Sequence, residues 1–150
     1  MIRKATLNDS EGIQAFNITM ALETEGKTLR PEAIAGGVRA LIEDPNKGFY
    51  LVAEREDTVV GCLLVTKEWS DWRNGDFWWI QSVYVTSENR RQGIYRDMYR
   101  RLKELAKADG NVRGFRLYVE KENQAAQQTY ERLGMQETHY KMYEESTDRG

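Results

Sequence analysis

The stretch Trp78-Trp79-Ile80-Gln81-Ser82-Val83-Tyr84-Val85, with Arg90-Arg91-Gln92-Gly93-Ile94-Tyr95 close behind it, decides how the chain is read. The first part is an aromatic and β-branched run, the composition of a strand. The second is a basic loop that contains a glycine and opens into a helix. Ile94, Met98, Leu102 and Leu105 recur on one helix face, while Arg96, Asp97, Arg100, Arg101, Lys103 and Glu104 mostly take the other. Strand, Gly loop and helix N-terminus in that order make an anion site. The first helical amides have no internal acceptor, and the helix dipole places partial positive charge on them. Gly93 admits a ligand close to the backbone, and Arg90, Arg91 and Arg96 add full charges. A pyrophosphate fits that description.

Working outward, residues 2–6 read as a first strand. Asn8 and Glu11 stand near capping-box spacing, and Ile13, Phe16 and Met20 follow as a helix face. Pro31 suits the first turn of a second helix, with Ile34, Val38, Leu41 and Ile42 as its apolar side, weakened by Gly36-Gly37 and ended by Asp44-Pro45-Asn46. Residues 49–54 and 59–66 read as strands joined by a turn at Glu56-Asp57, and 77–85 as the next strand. Asn74-Gly75 is a hairpin turn signal. The helix from 94 to 109 ends at Gly110. Strand 115–119, helix 124–133 between Asn123 and Gly134, and a final strand 135–144 complete the pattern. The order β-α-α-β-β-β-α-β-α-β predicts a mixed α/β sheet with helices on its faces. Residues 1–145 form one domain, and 146–150 a frayed tail.

A chain of 150 residues with a net charge of −2 is long enough for a real core and shows no global bias toward nucleic acid. One cysteine, Cys62, excludes an intrachain disulfide framework, and one histidine, His139, argues against a His/Cys metal site. No apolar run approaches the length of a membrane span, and the N-terminus lacks a signal-peptide core. A cytoplasmic protein with no metal, membrane or nucleic-acid partner is the simplest expectation.

Val85-Thr-Ser-Glu-Asn-Arg90-Arg-Gln-Gly93-Ile resembles the coenzyme A loop of the GNAT superfamily of N-acyltransferases. Leu117-Tyr118-Val119-Glu120-Lys121-Glu122-Asn123, then Ala125-Ala126, Tyr130 and Leu133-Gly134-Met135, resemble that family's second motif. The resemblance covers residues 48–143 well and the N-terminal third loosely. It implies that strands 77–85 and 115–119 splay apart and that acetyl-CoA enters between them. It also implies an acetyl transfer to a primary amine of a small molecule, by direct attack in a ternary complex.

Such a reaction needs an anchored thioester, a neutral amine, a stabilised oxyanion and a protonated leaving thiolate. The resemblance assigns the pyrophosphate to Arg90, Arg91, Gln92, Gly93, Ile94, Tyr95 and Arg96, and the pantetheine arm to the main chain of Val83 and Val85. The amide of Val83 is the candidate for polarising the thioester carbonyl, and Tyr130 the candidate general acid, also touching cofactor. Asn123 caps its helix and is a further cofactor contact. Tyr95 replaces a small loop residue, so its ring must turn away or close over the cofactor. Gln81 and Ser82 stand where several relatives carry carboxylates, which leaves the base to Glu23, Glu25, Asp71 or Asp76 through water, or to none.

The acceptor is expected near Glu23, Glu25, Trp72 and Gln81. All four tryptophans lie within Trp69–Trp79, as strand packing, a homodimer interface or an acceptor wall. Trp69–Gly75, together with Leu117-Tyr118-Val119-Glu120 and the turn carrying Glu23 and Glu25, is similar to diamine N-acetyltransferases, but the missing acidic pair at Gln81-Ser82 counts against a polyamine. Two other readings stay open: a non-catalytic acyl-CoA sensor, and a nucleic-acid-binding domain built on Arg90–Arg101.

Overall fold

The computed structural model describes residues 1–150. It forms two compact units, Met1–Tyr118 and Val119–Gly150. In the first, strands β1 (Ile2–Lys4), β2 (Gly48–Arg55), β3 (Thr58–Ser70), β4 (Gly75–Val85) and β5 (Val112–Arg116) make one sheet in the order β1-β2-β3-β4-β5. The first four pair antiparallel, and β5 pairs parallel with β4. Helices α1 (Ser10–Glu25) and α2 (Pro31–Glu43) precede β2, and α3 (Ile94–Asp109) crosses from β4 to β5. The second unit contains α4 (Gln124–Arg132). No helix is long and apolar enough to cross a membrane.

Strand alternation separates two cores. Tyr50, Val52, Cys62, Leu64 and Tyr84 share the face under α1 and α2, where Ile13, Phe16, Val38 and Leu41 meet them. Phe49, Leu51, Leu63, Val65, Trp78 and Ile80 occupy the opposite face by register. There α3 buries Ile94, Met98 and Leu102 of the stripe that sequence spacing predicts, together with Tyr99 and Ala106, while Leu105 of that stripe is only half-buried. Trp78 meets Phe49 and Phe115 edge-on, and Tyr99 meets Phe115 the same way.

Several expectations are corrected. Capping before α1 falls on Thr6 and Asp9, not Asn8 and Glu11: the Thr6 amide donates to Asp9 Oδ2 at 2.7 Å around a short 3-10 turn. Asn74-Gly75 is not a two-residue turn. Asn74 alone takes the left-handed conformation (φ 48°) in a wider turn, and Gly75 begins β4. A glycine is needed there because a methyl group would meet the backbone carbonyl oxygen of Asn111 at 2.8 Å as well as the Arg113 side chain at 2.7 Å. β5 lies at 112–116, earlier than 115–119, since Val112 pairs with Asp76 as soon as Gly110 has ended α3. Residues 135–144 form no strand: they bend at His139 and remain outside any ladder.

Candidate active site

Nothing pairs with the outer edge of β4 beyond Trp79. The parallel ladder runs from Asp76↔Val112 to Trp79↔Arg116 and stops, while β4 continues beside β3 to Val85. The two strands therefore part at Ile80, and the outer edge of Ile80–Val85 has no strand partner. Within that segment lies a β-bulge. Leu64 pairs with Gln81 and Cys62 with Tyr84, so Ser82 and Val83 together oppose Leu63. Ser82 is held at φ 50°, and its carbonyl accepts from the Cys62 thiol at 3.8 Å. A bulge at this point re-aims the backbone of Val83 out of the regular ladder.

The loop after β4 is an amide cradle. Arg91 (φ 63°) and Gly93 (φ 78°) are left-handed on either side of Gln92, an alternation that gathers N–H groups around a concavity. The first intrahelical bond of α3 runs from the Asp97 amide to the Gly93 carbonyl at 3.0 Å. The amides of Arg91, Gln92, Gly93, Ile94 and Arg96 have no protein acceptor. A methyl group on Gly93 would meet Arg96 Nη2 at 2.5 Å, so the guanidinium lies folded over the glycine.

The arginines divide the work. Arg90 is spent on structure: Nε donates to the Val85 carbonyl at 2.8 Å, Nη2 to Glu23 at 3.0 Å, and the guanidinium lies over the Tyr84 ring. Arg91 has no ion-pair partner, and Arg96 has only its neighbour Asp97 at 3.3 Å. The Gln92 side chain accepts from Arg55 and donates to the Glu88 carbonyl, tying the loop to the β2–β3 turn. Tyr95 directs its ring along α3 to stack on Tyr99 at 6.1 Å.

The proposed acceptor residues are not brought together. Glu23 is the Arg90 partner, and Glu25 pairs with Lys27 at 3.3 Å. Gln81 donates to Thr66 Oγ1 at 2.7 Å. Trp72 is 92% exposed on the β3–β4 turn, at the opposite end of β4 from Val83. At roughly 3.3 Å per residue, the run from Gly75 to Val83 spans about 26 Å. The same geometry removes Asp71 and Asp76 from the bulge. Sequence reasoning missed the polar row beside Gln81. Glu68 accepts from the Trp79 indole at 2.8 Å and from Arg116 at 3.0 Å, which hold its carboxyl below the usual glutamate range. Arg116 also covers the Phe77 ring, and Tyr118 stands 6.2 Å from Trp79. Thr66 and Glu68 alternate with Val65 and Lys67, the signal that would have placed them on this face.

In the second unit, Asn123 Oδ1 accepts from the Ala126 amide at 3.1 Å, the cap read from the sequence. Tyr130 sits about two helical turns beyond Asn123 along α4, half-buried, and burial pushes its phenol above the ordinary value. It therefore stays protonated at neutral pH. Cys62 is fully buried and its thiol is pushed up to about 12, so it is no nucleophile. No group of His, Cys, Asp or Glu could hold a metal ion. A cavity of about 480 Å³ lies elsewhere, lined by Lys4, Phe49, Lys67, Trp78 and Leu105. At about 1.5 Å per helical residue, Leu105 is some 16 Å along α3 from Ile94, so this cavity is separate from the cradle.

The sequence matches the model of the acetyltransferase (GNAT) family over residues 15–135. No curated protein matches it. Among solved structures, it is similar to that of a possible acetyltransferase from Clostridium difficile 630, at 48% identity and TM-score 0.92, covering 98% of this chain and 97% of that one. A predicted acetyltransferase from Clostridium acetobutylicum, solved with acetyl-CoA, shares 19% identity at TM-score 0.79, with coverages of 97% and 95%. An aminoglycoside acetyltransferase from an uncultured soil metagenomic sample shares 18% identity at TM-score 0.76, with 98% of both chains covered. The last two likenesses are of fold alone.

Proposed function

Because the chain belongs to the acetyltransferase (GNAT) family, we propose that it moves an acetyl group from acetyl-CoA to a primary amine of a small molecule. The observation that carries this reading is the amide cradle at 91–96 lying at the end of an open β4 edge. A diphosphate suits the cradle, and an amide-bearing pantetheine arm suits the edge beside Val83 and Val85. Arg91 and Arg96 supply charge to the diphosphate, while Arg90, Gln92 and Glu23 hold the loop in shape.

In the reaction, the amine nitrogen attacks the thioester carbonyl and a C–N bond forms. The oxyanion accepts from the Val83 amide. Collapse breaks the C–S bond, Tyr130 protonates the leaving sulfur, and the amine proton passes to water. Asn123 is a proposed further cofactor contact. Polar and aromatic groups on the open sheet face (Gln81, Thr66, Trp79, Tyr118) receive the acceptor. This neutral lining suits a small amine or amino-acid-like molecule better than a polycation, because Glu23 and Glu68 are already committed to Arg90 and Arg116.

Calorimetric titration with acetyl-CoA tests the reading, with Arg91→Glu/Arg96→Glu as control. Micromolar binding lost in the double variant supports it. A wild-type protein that binds neither acetyl-CoA nor longer acyl-CoAs overturns it. Gln81, which cannot take a proton from an amine, favours one rival, a non-catalytic acyl-CoA sensor. That rival predicts binding without turnover on any amine.

A further inference from the structure

We infer that the cavity between the C-terminal half of α3 and the sheet is a second ligand site, suited to a small monoanionic carboxylate with an aromatic body. Its origin is legible in the chain. The apolar stripe of α3 passes through Leu102 and Leu105, and helical spacing brings Ala108 next onto the same face. A methyl group stops short of the sheet where a leucine would reach it, and a cavity of about 480 Å³ is found there. Small-molecule sites run from roughly 300 to 1,000 Å³. Lys4, Phe49, Lys67 and Trp78 stand together on the α3 face of the sheet by register: Lys4 pairs with Leu51, Phe49 with Val65, and Lys67 with Trp78. Phe49 and Trp78 meet edge-on at 5.2 Å and 78°. An aryl ring laid against that pair extends it by a third member. Every residue that lines the cavity belongs to the first unit.

Charge selects the ligand. Three ionised side chains line the cavity, Lys4, Lys67 and Asp109, and they sum to a single positive charge. The Asp109 carboxylate is turned to the end of its own helix, where Oδ1 accepts from the Asn111 amide at 3.0 Å. Neither ammonium makes an ion pair: Lys4 Nζ lies 4.6 Å from the centre of the Phe49 ring, and Lys67 Nζ donates to the Pro45 carbonyl at 3.3 Å. An ammonium has three donors, so each lysine keeps N–H groups to give. One carboxylate neutralises this lining, and its two oxygens are acceptors enough for both lysines. A dianionic phosphate ester would leave excess negative charge beside Asp109, with no arginine fork in the lining to hold it. A cation would face two ammonium groups. Both lysines are exposed, whereas Phe49 is half-buried and Trp78 buried. The charge therefore lies toward water and the aromatic surface inward, the polarity of an aryl carboxylate that enters ring first.

Calorimetric titration of the full chain with 3-phenylpropionate tests this without reference to activity. The expected dissociation constant is on the order of 0.1 mM, in keeping with so small a ligand. The neutral isostere 3-phenylpropionamide should bind at least about 10-fold more weakly, because it cannot form charge-assisted bonds to the lysines. Lys4→Gln/Lys67→Gln changes two exposed side chains, so the fold is kept, and it should weaken the acid to the level of the amide. Ala108→Leu carries the helix stripe into the space and should abolish binding of both. Arg91→Glu/Arg96→Glu should bind the acid as the wild type does, since the cradle lies at the other end of α3. No saturable binding of the acid below about 10 mM overturns the inference. So does equal affinity for acid and amide, or wild-type affinity in either the lysine variant or Ala108→Leu. Loss of the acid in Arg91→Glu/Arg96→Glu would put it in the cradle and overturn the second site as well.

Discussion

Arg90 reaches Glu23 at 3.0 Å across the end of α1 while its Nε holds the Val85 carbonyl at 2.8 Å. One side chain thus ties three things together: the helix, the last residue of β4 and the loop that follows. The pair is a little less than half exposed, so its direct contribution to stability is small, about 0–1 kcal/mol. Glu23→Gln should therefore leave the melting temperature nearly unchanged and raise KM for acetyl-CoA a few-fold at constant kcat. A kcat loss of about 100-fold or more with an altered acidic limb of the pH profile would instead make Glu23 the general base.

Gly93→Ala probes the cradle. Its φ of 78° is unfavourable for a residue with a side chain, and the new methyl would displace Arg96. The expected cost to the fold is about 1 kcal/mol, read as a lowered urea midpoint. Affinity for acetyl-CoA should fall further than for Arg91→Ala, because the backbone amides move as well as a charge. Equal affinity of the Gly93 variant and wild type would remove the diphosphate from this loop.

How far the sequence carried the reading depends on the range of the interactions involved. Helix α3 was legible because its stripe, its Gly93 entry and its Gly110 exit are all local, and Asn123 was legible as a cap for the same reason. The bulge at Ser82 was not, since it follows from the register of β3 against β4. The pairing of Arg90 with Glu23 was not legible because the two lie 67 positions apart. Placing Trp72 with Gln81 failed because the apolar pattern understated β3 and β4, which run to Ser70 and from Gly75. The final strand was read from composition alone, and composition cannot say whether an edge within the same chain is there to pair with.

The two tryptophans should separate cleanly. Trp72→Ala removes a ring that touches water, and stability should change by less than about 0.5 kcal/mol with kcat/KM intact. Trp79→Phe deletes the indole N–H that holds Glu68 and leaves Arg116 as its only partner. KM for the acceptor should rise while the acetyl-CoA constant holds. If Trp72→Ala were the variant that loses the acceptor, the site would lie at the hairpin and not at the splay.

Cys62 gives a pH test of the core. Burial raises its folded pKa to about 12, above the roughly 8.5 of an unfolded thiol. A raised pKa means that the stabilisation is complete below about 8.5 and is lost as pH climbs toward 12. Cys62→Ala removes that dependence together with about 1 kcal/mol of packing. The advantage of wild type over the variant should therefore shrink above about pH 8.5 and reverse sign well before pH 11 in urea titrations, because about 1.4 kcal/mol per pH unit soon exceeds the packing loss. The native thiol should also resist alkylation at pH 8 and react rapidly once unfolded. Fast alkylation of the folded protein would mean that the sulfur is accessible and could carry an acyl group.

Tyr130→Phe is the decisive catalytic variant. The proposed acid must be protonated to act, and burial pushes its phenol above the ordinary value near 10. Activity should accordingly persist through neutral and mildly alkaline pH, with a falling limb only above that value. The phenylalanine variant keeps the ring and loses the proton. Its kcat should drop by about 10²–10⁴ with acetyl-CoA affinity unchanged, and the alkaline limb should disappear from what remains. A variant with wild-type kcat would assign protonation of the sulfur to solvent. A variant that loses acetyl-CoA binding along with kcat would make Tyr130 a cofactor contact rather than the acid.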